Sequence, residues 1–311
     1  MREITCVMSV YNEEIWMINR AVKSILNQSY PVKEIIIVID NPDYIDAIKF
    51  LENYKSDSKT ELRVIINKKN VGLAGSLNIA IGKAQCDYIC RMDADDESEV
   101  TRIEDELNYL ENNGLDLVGS LMSTVDEKGK TICEKIQLPY REHDIKIISK
   151  YSGCLCHPTW LFKKEVWESI GGYREAMVAA QDGDFILRAI KQGFRIANIN
   201  KVLLKYTVRK TSITGNNTAR QSFLATYARD CVLKNKTFDE KMSEKIKNNN
   251  CEAYSQFRLF YEKGMVKHDI KKIFQGIMNS YYFRVYIQNV FWGKILRVWC
   301  LKVNNKNVKR N

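Results

Sequence analysis

The segment Arg91-Met92-Asp93-Ala94-Asp95-Asp96 follows directly on a short apolar run, Tyr88-Ile89-Cys90. Carboxylates spaced i, i+2 at a strand's end project to one side, because side chains alternate with period two. Asp93 and Asp95 thus offer oxygen ligands that suit a hard divalent cation, magnesium or manganese, better than zinc. A cation held by so few carboxylates keeps open positions, and substrate phosphates commonly fill them. A polar turn with a helix cap uses the same residue types, since Ser98 precedes Glu99-Val100 and Ser and Asp both start helices. Two further carboxylates, Asp182 and Asp184, open a helical pattern in Gln181-Asp182-Gly183-Asp184. A carboxylate there either accepts a proton from a substrate or caps the helix. Cys154-x-Cys156-His157 offers softer ligands, but no second pair follows at zinc-finger spacing, so no structural zinc site is expected.

The elements that must position these residues alternate between strand and helix over the first 120 residues. Ile4–Val10 reads as a strand, and 14–27 as a helix with Ile15, Ile18, Ala21, Val22, Ile25 and Leu26 on one face. Glu34–Ile39 is a run of β-branched residues typical of a strand buried on both sides. A helix over 43–54, a strand over 62–66, a helix over 75–83, a strand over 87–91 and a helix over 98–112 follow. This alternation predicts a parallel sheet with right-handed crossovers, whose ligands bind at the carboxyl ends of the strands. Tyr11-Asn12, Asp40, residues 67–70 and Asp93-x-Asp95 all fall at such ends. Beyond 115 the pattern is mixed: strands over 115–118, 121–125, Thr131–Ile136 and 202–208, and a helix over 184–191. From 216 on it is helical, over 219–234, 240–248, 252–263 and 267–298.

A chain of 311 residues with 45% hydrophobic content can build one large domain or two. The first ten residues run straight into a strand pattern, so no signal peptide is expected. Nine cysteines without framework spacing fit reduced thiols in the cytosol. Charge is uneven: residues 201–311 hold 23 Lys and Arg against 7 Asp and Glu, a net of +16 within a total of +10. The first 200 residues are therefore acidic, and the basic end suits an anionic partner.

Taken in order, these motifs resemble the inverting glycosyltransferases of family 2, which have the GT-A fold, over about residues 3–215. Ser9-Val10-Tyr11-Asn12-Glu13-Glu14 is similar to the family's opening strand and loop, and residues 36–40 to its second strand. Asn70-Val71-Gly72 resembles the family's Asn-x-Gly segment, and residues 91–96 its Asp-x-Asp element. His157-Pro158-Thr159, Gly171-Gly172-Tyr173 and Gln181-Asp182 follow in the family's order. Where the family more often has Asp-Gly-Ser, this chain has Asp40-Asn41-Pro42. The resemblance implies an α/β fold, a mostly parallel Rossmann-like sheet flanked by helices, with a helical C-terminal extension. It implies a glycosyltransferase domain over 1–215 and a basic helical region over 216–311. It assigns donor binding to Ser9, Tyr11, Glu13, Asp40, Asn70, Gly72, Arg91 and Asp93. It assigns a manganese or magnesium ion to Asp95, Asp93 and His157, and the catalytic base to Asp182. Arg209, before Ser212-Ile213-Thr214, resembles a late position near the donor diphosphate.

The implied partners are a nucleotide-sugar donor, most often a UDP-sugar, and a glycan or polyprenyl-diphosphate-linked acceptor in bacterial surface polysaccharide assembly. The C-terminal third carries no motif of the family. Its aromatic and basic residues over 277–311 fit either an anionic membrane or a helix seam, within the chain or in a homodimer. The expected location is the cytoplasm, at the inner face of the cell membrane. Two rival readings make different demands. A nucleotidyltransferase would want a glycine-rich basic loop after the first strand, which Tyr11-Asn12-Glu13-Glu14 is not. A nucleic-acid-binding protein would use the basic end, but no reading motif is present, and none is expected as a partner.

Overall fold

Hydrophobic pattern and topology agree across the first half of the chain. Four parallel strands, β1 (Ile4–Val10), β2 (Glu34–Ile39), β3 (Glu61–Ile66) and β4 (Tyr88–Asp93), lie in the order β3-β2-β1-β4. Every residue of β2 is buried, as its β-branched run requires. Helices α1 (Ile15–Leu26), α2 (Ile45–Glu52) and α3 (Gly72–Lys83) join these strands. The inward face of α1 (Ile18, Ala21, Val22 and Ile25) packs with Ile4, Cys6, Met8 and Val10 of β1 in one core. The structure, a computed structural model, describes residues 2–55, 59–177, 179–209 and 219–308, with side chains through Cys300.

The sheet then extends past β4. After β5 (Glu97–Ser98) and α4 (Arg102–Asn112) come β6 (Leu117–Asp126), β7 (Thr131–Ile136), α5 (Glu142–Ile148), β8 (Leu161–Lys163) and α6 (Lys164–Ser169). Strand β8 is antiparallel to both β4 and β6, and β9 (Ile196–Val208) runs parallel to β6. The two strands expected over 115–118 and 121–125 are one strand, β6, whose register shifts after Ser120. The helix expected from 98 starts at Arg102, because Glu97-Ser98 pairs with β9 instead.

The chain divides into two compact units. The first comprises residues 1–142, 155–173 and 192–209, and holds the sheet. The second comprises residues 143–154, 174–191 and 210–311. Besides most of α5, its described helices are α7 (Gln181–Lys191), α8 (Ala219–Leu233), α9 (Met242–Lys247), α10 (Glu252–Phe260), α11 (Ile270–Asn279) and α12 (Tyr281–Val308). An aromatic core of Phe223, Tyr227, Phe257, Tyr261 and Phe283 joins α8, α10 and α12. The single helix expected over 267–298 is broken at Ser280, whose backbone is extended. Packing explains the break: a Cβ on Gly276 would stand 2.5 Å from Phe283 Cδ1, so α11 folds back closely against the start of α12. Among the described residues no helix is long and apolar enough to cross a membrane.

Candidate active site

Parallel order places Val10, Ile39, Ile66 and Asp93 at one edge of the sheet. Strand order reverses between β1 and β4, the position where open α/β sheets leave a crevice. Ser9 on β1 is in register with Asp93 on β4. The buried Arg91 guanidinium forks onto the Asp93 carboxylate, at 2.8 Å and 2.5 Å. Beyond β4 the chain turns, and the carboxylates of Asp93, Asp95 and Asp96 come within 4.8 Å of one another.

Each of the three has a different environment. Asp95 Oδ2 meets Arg209 Nε at 2.7 Å, and its carbonyl accepts from Arg20 at 2.6 Å. Arg20 also donates to the Thr207 hydroxyl at 2.7 Å. Burial, then the neighbouring Asp93 charge, pushes Asp95 up to about 7. Asp96 is fully buried and accepts from the Thr207 backbone N–H at 2.8 Å. Its second oxygen has no hydrogen-bond partner among the described residues. Burial, with Asp93 and Asp95 alongside, holds Asp96 well above the usual carboxylate range.

The β1 loop leans on the same cation. Glu13 accepts from the backbone N–H groups of Tyr11 and Asn12 at 2.7 Å and 3.2 Å, and lies 3.5 Å from Arg209. Tyr11 itself is 45% exposed. Asp40 is buried at the end of β2, where its carboxylate accepts from Asn67 Nδ2, Val71 N and Gly72 N, each at 2.8 Å. It therefore caps α3, which begins three residues earlier than expected. Asn70 accepts from Gly72 N at 2.9 Å, and Gly72 has φ +79°, a conformation costly for any side chain.

His157 is not one of the three carboxylate-group residues Asp93, Asp95 and Asp96. Its Nε2 bonds to the Tyr173 hydroxyl at 2.8 Å, and burial, with Arg91 nearby, holds it well below its ordinary value. In the second unit Asp182 and Asp184 both sit in the first turn of α7. Asp184 is buried and gripped by Arg174 and Arg188, each at 2.8 Å. Asp182 is the more accessible of the two. Ser212–Thr214 lie outside the described residues.

The family model described as glycosyl transferase family 2 matches residues 5–171. The chain belongs to this family. It is 32% identical over 228 residues to the O-antigen biosynthesis glycosyltransferase WbnJ of Escherichia coli, covering 72% of this chain and 84% of that one. An uncharacterized glycosyltransferase of Methanocaldococcus jannaschii is 30% identical over 234 residues, covering 75% of this chain and 80% of that one. The fold is shared with S. aureus TarS 1-349 in complex with UDP-GlcNAc, at a TM-score of 0.63 and 16% identity, covering 99% of this chain and 92% of that one.

In this family 2 glycosyltransferase the carboxylate group fits a hard divalent cation. All its donors are oxygens, three acidic side chains crowd together, and one buried oxygen of Asp96 has no hydrogen-bond partner among the described residues. Positive charge already gathers there, in Arg91 and Arg209. Sequence reasoning gave no role to Asp96, Arg20 or Thr207. Asp96 stood in the quoted motif, but its side of the chain depends on the turn after Asp93. Arg20 and Thr207 reach the site only through the packing of α1 and β9, for which the sequence carries no signal.

Proposed function

We propose that this glycosyltransferase is inverting and metal-dependent, and moves a sugar from a nucleoside-diphosphate donor, a UDP-sugar, to a glycan or polyprenyl-diphosphate-linked acceptor. The observation that carries the reading is the gathering of Asp93, Asp95 and Asp96 within 4.8 Å beside Arg209, at the carboxyl edge of a parallel sheet. The O-antigen relative supports a place in surface polysaccharide assembly, and the TarS complex with UDP-GlcNAc supports the donor class. Catalysis is assigned to residues 1–215, and acceptor, membrane or partner contacts to the basic residues 216–311, at the cytoplasmic face of the membrane.

Negative charge grows on the diphosphate oxygen as the glycosidic bond breaks. Arg209, now resting on Asp95 and Glu13, is placed to follow that charge, since a guanidinium pairs readily with phosphate oxygens. Manganese or magnesium held by Asp93 and Asp95, with Asp96 behind them, would supply further positive charge to the same oxygen. Tyr11 offers an exposed ring for stacking on the base. Asp40 contributes through the Asn70–Gly72 backbone that it holds in place. Asp182 takes the proton of the acceptor hydroxyl, because inversion in one displacement needs a base opposite the leaving group. Asp184, committed to Arg174 and Arg188, is not free for that role.

Screening the enzyme against a panel of nucleotide sugars with manganese tests the whole reading. Turnover of a UDP-sugar that stops on chelation is the expected result. Full turnover after chelation would remove the metal, and no binding of any nucleotide sugar would remove the assignment.

A further inference from the structure

We infer that the outer faces of α11 and of the distal half of α12 dock on an anionic lipid bilayer. On α11, Ile270, Phe274 and Met278 recur at i, i+4 and i+8, and are 67%, 65% and 76% exposed. Their direction is fixed from behind. Gly276 is pressed against Phe283, while Ile273 and Ile277 pack on the aromatic core. On α12, Phe291, Trp292, Ile295, Val298 and Trp299 share one side by their spacing and are 43–57% exposed. The opposite side is fixed too: Gly293 lies against Ser152, and Cys300 is buried. Contiguous exposed apolar stripes of this kind mark interaction surfaces.

Charge decides what covers them. From Ile270 to Asn311 the chain holds nine Lys and Arg and no Asp or Glu. Lys271 and Lys294 are exposed, each adjacent in sequence to a residue of a stripe, Ile270 and Ile295. A second copy of this chain would bring like charge against like charge, whereas anionic headgroups offer the opposite sign. Trp and Phe at the depth of the headgroups, with Lys reaching past them to phosphate, is the composition of a helix lying in the interface. No described helix can span the bilayer, so these two lie on it. The surface differs from the expected 277–311. It begins at Ile270, and it omits Tyr282, Phe283 and Tyr286, whose rings are spent on the aromatic core.

This deepens the proposed lipid-linked acceptor, yet its test needs no sugar donor. The full chain is floated with vesicles of phosphatidylcholine alone and of phosphatidylcholine with phosphatidylglycerol. Binding to the anionic vesicles only, weakened at least tenfold by high salt, is expected. The combined variant Phe274→Ser/Trp292→Ser/Trp299→Ser should lose at least tenfold in vesicle binding while keeping its melting temperature. If that variant fails to fold, Lys271→Glu/Lys294→Glu carries the test, with the same loss expected. Equal binding to both vesicle types, no binding, or undiminished binding by the variants overturns the inference. So does a dimer that the triple variant dissolves without loss of vesicle binding. Turnover of donor with a detergent-solubilised acceptor tests the function separately, and its failure leaves the vesicle result standing.

Discussion

Asp95 stands between two cationic claims, Arg209 in the structure and a divalent ion in the proposed reaction. Held at about 7 by burial and Asp93, it must give up its proton to ligate. Manganese affinity measured by titration calorimetry should therefore be level above about pH 8 and fall roughly tenfold per unit below about pH 7. Asp95→Ala should abolish metal-dependent donor binding. Asp182→Asn should leave donor binding intact and slow turnover by about 100-fold or more, the usual worth of a general base. A normal rate in Asp182→Asn would remove Asp182 from its role. At this scale the strand end at Asp93 was legible, but Asp95 lies in the turn beyond β4, where period two no longer applies. The sequence was not legible where ligation depends on the turn after a strand, as for Asp96, or on a distant strand end, as for Thr207. The bond of His157 to the Tyr173 hydroxyl was not legible either, since it depends on how residues 157 and 173 pack.

Elements were read best where burial is complete on both faces. Glu34–Ile39 was legible to the residue, because six consecutive buried positions admit little else. Strand β8 has three residues and no alternation to read, and it went unseen. Helix α4 hides a charged pair: Arg102 and Glu106 are both fully buried, 3.2 Å apart, and Arg102 donates to the Arg91 carbonyl at 2.8 Å. Losing Arg102 leaves Glu106 and the Arg91 carbonyl without that donor, so Arg102→Met should cost about 1–3 kcal/mol in denaturant unfolding at neutral pH. Burial raises Glu106 to about 8 and Asp95 to about 7. The fold thus keeps protons that the unfolded chain has lost, and the melting temperature should fall as pH rises from about 7 to about 8. The cap of Asp40 on α3 is open to the same kind of measurement. Asp40→Ala should cost about 1–2 kcal/mol and raise the donor KM, through a loosened Asn70–Gly72 turn.

Over the whole molecule, charge was fully legible, since +16 in the last 111 residues needs only counting. Fold class was equally plain from the strand-helix alternation. How the chain is shared between units was not, because that depends on which helices pack on α8, and no local pattern encodes it. The chain passes from one unit to the other at five points, after residues 142, 154, 173, 191 and 209. Neither unit is a continuous piece of polypeptide. A fragment ending at residue 215 would carry Phe185, Ile186 and Leu187 of α7, all buried in the intact chain, with α8 amputated. Such a fragment should precipitate, and Asp182 with it. Truncation, the usual way to separate a catalytic half from its appendage, would here leave the proposed base on a helix stripped of its neighbour α8.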